Sequence, residues 1–104
     1  MLMDAAELKT QLNEALFWSY DFDKLNIDSS WFIIIEQVYL RGDWNEFKAI
    51  LKYFTKEKLF KVATDSKVLD IKTVYFLSLL LQIPLKKMRS YNVNKLIDKG
   101  VHIF

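Results

Sequence analysis

Glycine occurs at only two positions and proline at only one in these 104 residues. Tight reversals draw on those residue types, so a sheet built from many hairpins is disfavoured from the outset. What remains is a chain of interior helices joined by few turns, punctuated at Gly42, Pro84 and Gly100. Hydrophobic residues make up 52% of the chain, which excludes disorder because there is enough apolar surface to offset the entropy of ordering. The length is that of one domain, read here as residues 1–104 without an internal repeat or low-complexity linker. With no cysteine, neither a disulfide nor a thiolate metal site can staple the fold, and the composition fits a cytoplasmic protein.

Apolar spacing places the helices. A first helix is expected over 4–15, capped by Asp4 with Glu7 three residues on, and with Ala5, Leu8, Leu12 and Ala15 as its inner stripe. From Phe17 to Ile27, aromatics alternate with Ser19, Asp21 and Asp23, which reads as an extended segment pinned by aromatic side chains, with a single helical turn at 24–26. A second helix starts near Ser29 or Ser30 and ends at Arg41, with Gly42 as a left-handed stop. Its stripe of Trp31, Ile34, Ile35 and Val38, with Phe32, Ile33, Tyr39 and Leu40 around it, marks a central helix. A third helix opens on the capping box Asp43-Trp-Asn-Glu46 and sets Trp44, Phe47, Leu51 and Phe54 on one face, with Glu46, Lys48 and Lys52 elsewhere; Trp18 and Trp44 fit either the core or the surface. A fourth runs from Lys56 to about Ala63 behind Thr55, followed by a loop over 64–69. A fifth runs from Asp70 to about Gln82 before Pro84 and is apolar almost all round, with Tyr75 and Phe76 read as core. One helical turn at 84–89 and a short helix over 94–99 complete an all-α compact bundle of five or six helices, followed by the apolar tail Val101–Phe104.

The chemistry-bearing residues form no reaction centre. Asp21 and Asp23, with Asp28 nearby, have the spacing of a Mg²⁺ site, but no glycine-rich phosphate cradle accompanies them. They read instead as solvated residues between aromatic anchors, so no metal or other cofactor is expected. His102, the single histidine, sits in the tail without an orienting partner, and no serine stands in a nucleophile-elbow context. The chain is therefore expected to be no enzyme. The segment 1–7 is acidic where a signal peptide is basic. The longest apolar run, 74–81, falls far short of the roughly 20 residues that span a bilayer, so no membrane role is expected.

Net charge is only +2, yet it is unevenly placed: six acids and two bases over 1–30, four acids and ten bases over 55–104. The basic cluster Lys86, Lys87, Arg89, Lys95 and Lys99, with Tyr91 among them, suits salt-sensitive phosphate contacts without sequence readout. A helix-turn-helix at 56–82 fits less well, because its second helix offers little beyond Lys72 and Thr73 to base edges. The aromatics favour protein binding: Trp, Tyr and Arg are the usual interface anchors, and a core of this size need not hide all of them. Association with a second copy is compatible with the same surplus.

Phe17-Trp-Ser-Tyr-Asp-Phe-Asp-Lys-Leu25, Phe32-Ile-Ile-Ile-Glu-Gln-Val38, Arg41-Gly-Asp-Trp-Asn-Glu-Phe47, and then Leu69, Lys72, Thr73, Phe76, Ile83 and Pro84 together carry a resemblance. They resemble a bacterial domain family of unknown function, common in Bacteroidetes, over about 16–87, with 88–104 as a basic extension. Ser19 and Gln37 depart from the residues usual there, Asp and Arg. Genes of that family often lie beside a nucleotidyltransferase-type toxin, so the resemblance implies a small antitoxin-like partner of such a toxin. The motif residues Trp18, Asp21, Asp23, Lys24, Arg41 and Asp43 are its candidate surface contacts. The alternative is a nucleic-acid-binding regulator using the basic C-terminal half.

Overall fold

Asp4 begins the first helix by accepting a hydrogen bond from the Glu7 N–H at 2.8 Å, which satisfies one of the donors that a helix start leaves open. The structure, a computed structural model, describes residues 4–17 and 24–98, and for 94–98 it describes only the backbone. The readings made for Trp18 to Asp23, for Lys99 and for the tail with His102 lie outside the described residues. Every regular element among the described residues is helical, so the fold is all-α. Six α-helices follow one another: α1 Ala5–Gln11, α2 Trp31–Arg41, α3 Trp44–Tyr53, α4 Lys56–Asp65, α5 Ile71–Leu81 and α6 Arg89–Asp98. Short 3₁₀ turns cover Glu14–Phe17 and Leu85–Lys87. The chain divides into two compact units, Met1–Leu59 and Phe60–Phe104.

In the first unit, α1 stops earlier than its apolar stripe suggests. The Asn13 side chain turns back to accept the Ala15 N–H at 2.9 Å, an Asx turn that competes with helix continuation. The chain re-forms as the 3₁₀ turn that drives Leu16 and Phe17 into the core, while Ala15 is exposed. A second Asx turn precedes α2: Asn26 Oδ1 accepts the N–H groups of Asp28 and Ser29. Of the turn expected at 24–26, Lys24 is 3₁₀-helical but Leu25 and Asn26 are not, a separate turn follows at 27–29, and Ser30 makes no side-chain cap. Helices α1 and α2 both pack on α3. The core between them includes Leu8, Leu12, Ile34, Ile35, Val38, Ala49 and Ile50. The isoleucines of α2 are weak helix formers, so burial of this kind holds the helix together.

Gly42 ends α2, but not in the left-handed conformation expected of it: its φ is −71° and its ψ 156°. Its N–H still closes the helix on the Val38 carbonyl at 2.9 Å. Glycine is required here by space. A Cβ on Gly42 would lie 2.7 Å from the Val38 carbonyl oxygen and 2.8 Å from Val38 Cγ1. The left-handed stop occurs at Gln82, where φ is 57° and ψ 46°. There the N–H groups of Gln82 and Ile83 both return to the Ser78 carbonyl, and the Ser78 hydroxyl donates to the Ile83 carbonyl. Buried Ile83 completes the apolar contact usual at such helix ends. Pro84 follows and prevents continuation.

The second unit is built on α5, α6 and the 3₁₀ turn Leu85–Lys87 between them. Val62, Ala63, Leu69, Val74, Leu77 and Met88 are buried. Ser90 is fully buried near the start of α6. Its hydroxyl donates to the Ser66 carbonyl at 2.6 Å and accepts the Leu69 N–H at 3.1 Å. That anchor explains why α6 starts at Arg89, five residues before the position read from the sequence, and why the loop before α5 is closed down. Helix α4 runs two residues beyond Ala63, into the stretch read as loop, with Thr64 Oγ1 donating to the Phe60 carbonyl and Lys61 paired with Asp65 at 2.8 Å.

Substituting the two helix-ending residues gives opposite outcomes. Gly42→Ala forces its Cβ against backbone and costs about 1–3 kcal/mol, read as a lower urea midpoint. Gln82→Gly removes left-handed strain and stabilises by roughly 1 kcal/mol in the same titration.

Candidate interaction surface

The corner between α2 and α3 gathers three residues that the sequence singles out or sets aside. Arg41, the last residue of α2, is exposed, and Asp43 is the exposed N-cap of α3. Asp43 Oδ1 accepts the Glu46 N–H at 2.8 Å and Glu46 Oε1 accepts the Asp43 N–H at 2.9 Å, the reciprocal capping box expected there. Glu46 does not turn away from the core, however. It is buried, and its second oxygen accepts the Asn13 N–H at 2.6 Å. A carboxylate that receives two backbone donors can be buried at little cost, which the apolar stripe does not reveal. The same rotation of α3 places Ala49 and Ile50 inside and carries Trp44 outward. Trp44 is 57% exposed and lies nearly parallel to Phe47, with ring centroids 5.8 Å apart. The sequence leaves it open between core and surface.

Tyr39, at the inner side of α2, is buried and donates its hydroxyl to the Leu59 carbonyl at 3.0 Å. Burial raises its pKa well above the ordinary tyrosine value, because the phenolate would be stripped of water. Tyr53 is shifted in the same direction, first by the hydrogen bond its hydroxyl donates to Asp28 at 2.8 Å. Lys58 Nζ lies 5.5 Å from the centre of the Trp31 ring, a cation–π pair at the edge of this unit. Lys24 is exposed. Among the described residues, no three His, Cys, Asp or Glu side chains come together as a metal-ligand set.

The second unit carries the largest departure from the sequence reading. Helix α5 buries Val74 and Leu77, while Ile71, Tyr75, Phe76, Leu79 and Leu80 are exposed, Leu79 by 82%. At 100° per residue these five occupy one half of the helix, together with exposed Lys72. Tyr75 and Phe76 are therefore not core residues. A helix apolar all round is central only if neighbours enclose it, and here α6 and the 3₁₀ turn pack on one side. Tyr75 makes an edge-on contact with Tyr91 of α6, centroids 6.4 Å apart. A contiguous exposed apolar arc of this kind commonly marks a binding surface.

The basic cluster is only partly gathered. Lys86 and Lys87 lie on the 3₁₀ turn and Arg89 opens α6; all three are exposed, and Asn92 Nδ2 fixes the turn by donating to the Lys86 carbonyl. Lys95 belongs to α6, but its side chain, like Lys99, lies outside the described residues. No described helix is long and apolar enough to cross a membrane.

The arrangement defines an all-helical protein of buried structural carboxylate and exposed apolar surface. Residues 12–63, half of the chain, match the model of a family of unknown function, DUF6922, and the chain belongs to that family. The match takes in the Asn13–Glu46 contact and the α2–α3 corner, and ends within α4 before α5 begins. No match was found among curated proteins or among solved structures.

Two measurements test the buried polar groups. Glu46→Gln leaves one of the two backbone donors without an acceptor and lowers stability by about 1–3 kcal/mol in urea titrations. Tyr39 keeps its proton in the folded state to higher pH than in the unfolded chain. Its contribution is intact below the unfolded value of 10.0 and is lost as pH rises from there toward the folded value. Stability should thus fall as pH is raised past 10, and Tyr39→Phe should flatten that fall.

Proposed function

We propose that this chain is a non-enzymatic protein-binding module, and most concretely an antitoxin-like partner that neutralises a nucleotidyltransferase-type toxin by steric masking. The exposed apolar arc of α5 carries the reading: five large apolar side chains on one helix face are more than a monomer of this size leaves in water without use. Trp44 beside Arg41 on the first unit adds the residue types that most often anchor interfaces. The resemblance to a family encoded beside such toxins supplies the identity of the partner. Masking needs no reacting group, only a surface that covers the toxin's substrate entrance. In this reading Lys24 and Arg41 offer polar contacts, while Asp43 serves first to start α3.

A second reading has its own support: Lys86, Lys87 and Arg89 stand exposed within four residues and could hold phosphates of a nucleic acid. Co-expression with the product of the adjacent gene separates the two. The module reading expects a stable complex on size exclusion and relief of toxicity. Separate elution with toxicity unchanged overturns it. Duplex DNA binding that weakens steeply between two salt concentrations would favour the nucleic-acid reading instead.

A further inference from the structure

Helix α5 presents its exposed half as two rows at i, i+4 spacing: Ile71, Tyr75 and Leu79 in one, Lys72, Phe76 and Leu80 in the other. Between such rows runs a groove of the sort that receives the ridge of another helix, over the ~16 Å that eleven residues span. The relief is shallow. Leu79 stands out at 82% exposure, while Ile71, Tyr75, Phe76 and Leu80 lie between 37% and 48%. That profile suits packing against a matching helix better than insertion into acyl chains, where a row of protruding apolar side chains would be used.

Charge says what kind of helix. Residues 60–104 carry eight bases and three acids. Among the described side chains Asp65 is paired with Lys61 at 2.8 Å and lies in the field of Arg89, and the other acid is Asp70, so Lys67, Lys72, Lys86 and Lys87 outnumber the acids left to balance them. Lys72 heads one row of the arc itself. Arg89 is brought to the same end of α5, because its neighbour Ser90 accepts the Leu69 N–H two residues before the helix. Lys67 precedes that point in the chain, and Lys86 and Lys87 flank the segment that follows the helix. A second copy of this chain would set one such excess of positive charge against another, so self-pairing through α5 is opposed electrostatically.

Building on the protein-binding reading, we infer that the α5 arc docks an amphipathic helix of a partner protein whose apolar ridge is flanked by carboxylates. The ridge fills the groove between the two rows, and Asp or Glu on its flank meets Lys72 within the arc and the positive field of the surrounding unit. Burial supplies the affinity, and that charge sets orientation and association rate.

The test uses the full chain and two designed helical peptides with the same leucine ridge, one flanked by glutamate and one by lysine. The acidic peptide should bind roughly tenfold more tightly at low salt, with the gap narrowing as salt is added. Leu79→Asp should abolish that binding and leave the helical circular dichroism unchanged, since the side chain lies in water. Lys72→Glu combined with Arg89→Glu should reverse the preference between the peptides. Equal binding of both peptides, or of neither, overturns the inference. So does stronger binding of phosphatidylserine vesicles or duplex DNA by the same face, or a concentration-dependent dimer lost in Leu79→Asp. A co-expressed complex that survives Leu79→Asp, with no acidic-peptide binding, sinks the inference and leaves the antitoxin reading standing. Acidic-peptide binding as expected, without any complex with the adjacent gene product, upholds the inference and sinks the antitoxin reading.

Discussion

The first unit depends on the two oxygens of Glu46. One closes the capping box with the Asp43 N–H, and the other takes the Asn13 N–H from thirty-three positions earlier in the chain. The start of α3 and the end of α1 are thereby tied through one buried carboxylate. Either donor left unmatched inside the protein would cost as much as a lost hydrogen bond, so the group is tolerated only because both are supplied. The consequences spread outward. Asn13, held by its own N–H, turns its side chain to Ala15 and ends α1, and the 3₁₀ turn that follows delivers Leu16 and Phe17 to the core. The corner that brings Asp43 into place rests in turn on Gly42, whose missing side chain lets the backbone pass against Val38.

The second unit solves the same problem with hydroxyls. Ser90 links the loop after α4 to the start of α6, and Ser78 links the last turn of α5 to the chain beyond it. A hydroxyl both donates and accepts, so one small side chain satisfies two backbone groups without bringing a charge inside. These closures fold the connecting segments onto one side of α5. The opposite side, where Leu79 projects, is left to the solvent. Structure and surface in this unit follow from the same few bonds, and they lie beyond the stretch matched by the family model.

Helix order and helix type were legible in the residues because they are local. Asp4, Asp43 and Thr55 each cap the helix expected of them, since a cap depends on a side chain and an N–H two or three residues away. The central character of α2 was legible too, in Ile34, Ile35 and Val38. The orientation of two helices was not. For α3 the stripe of aromatics left Trp44 open between core and surface, and the helix turned toward Ile50 to satisfy Glu46. For α5 every side is apolar, so periodicity contains no signal for which half is covered. Lys72 on the open half was the one hint. The role of Gly42 was assigned correctly as a stop and incorrectly as a left-handed residue, because glycine answers to both dihedral freedom and lack of volume.

The amino-acid order by itself determined an all-helical chain, its breaks, and the caps at its helix starts, because each is settled within about one helical turn by hydrogen bonding and backbone sterics. Tertiary structure alone decided that a glutamate would be an interior group and a tryptophan and a leucine-rich helix face exterior ones. Those outcomes hinge on partners distant in the chain: the Asn13 amide for Glu46, and the side of α5 on which α6 happens to pack. Hydrophobicity ranks residues for burial, but only the available neighbours determine which are buried.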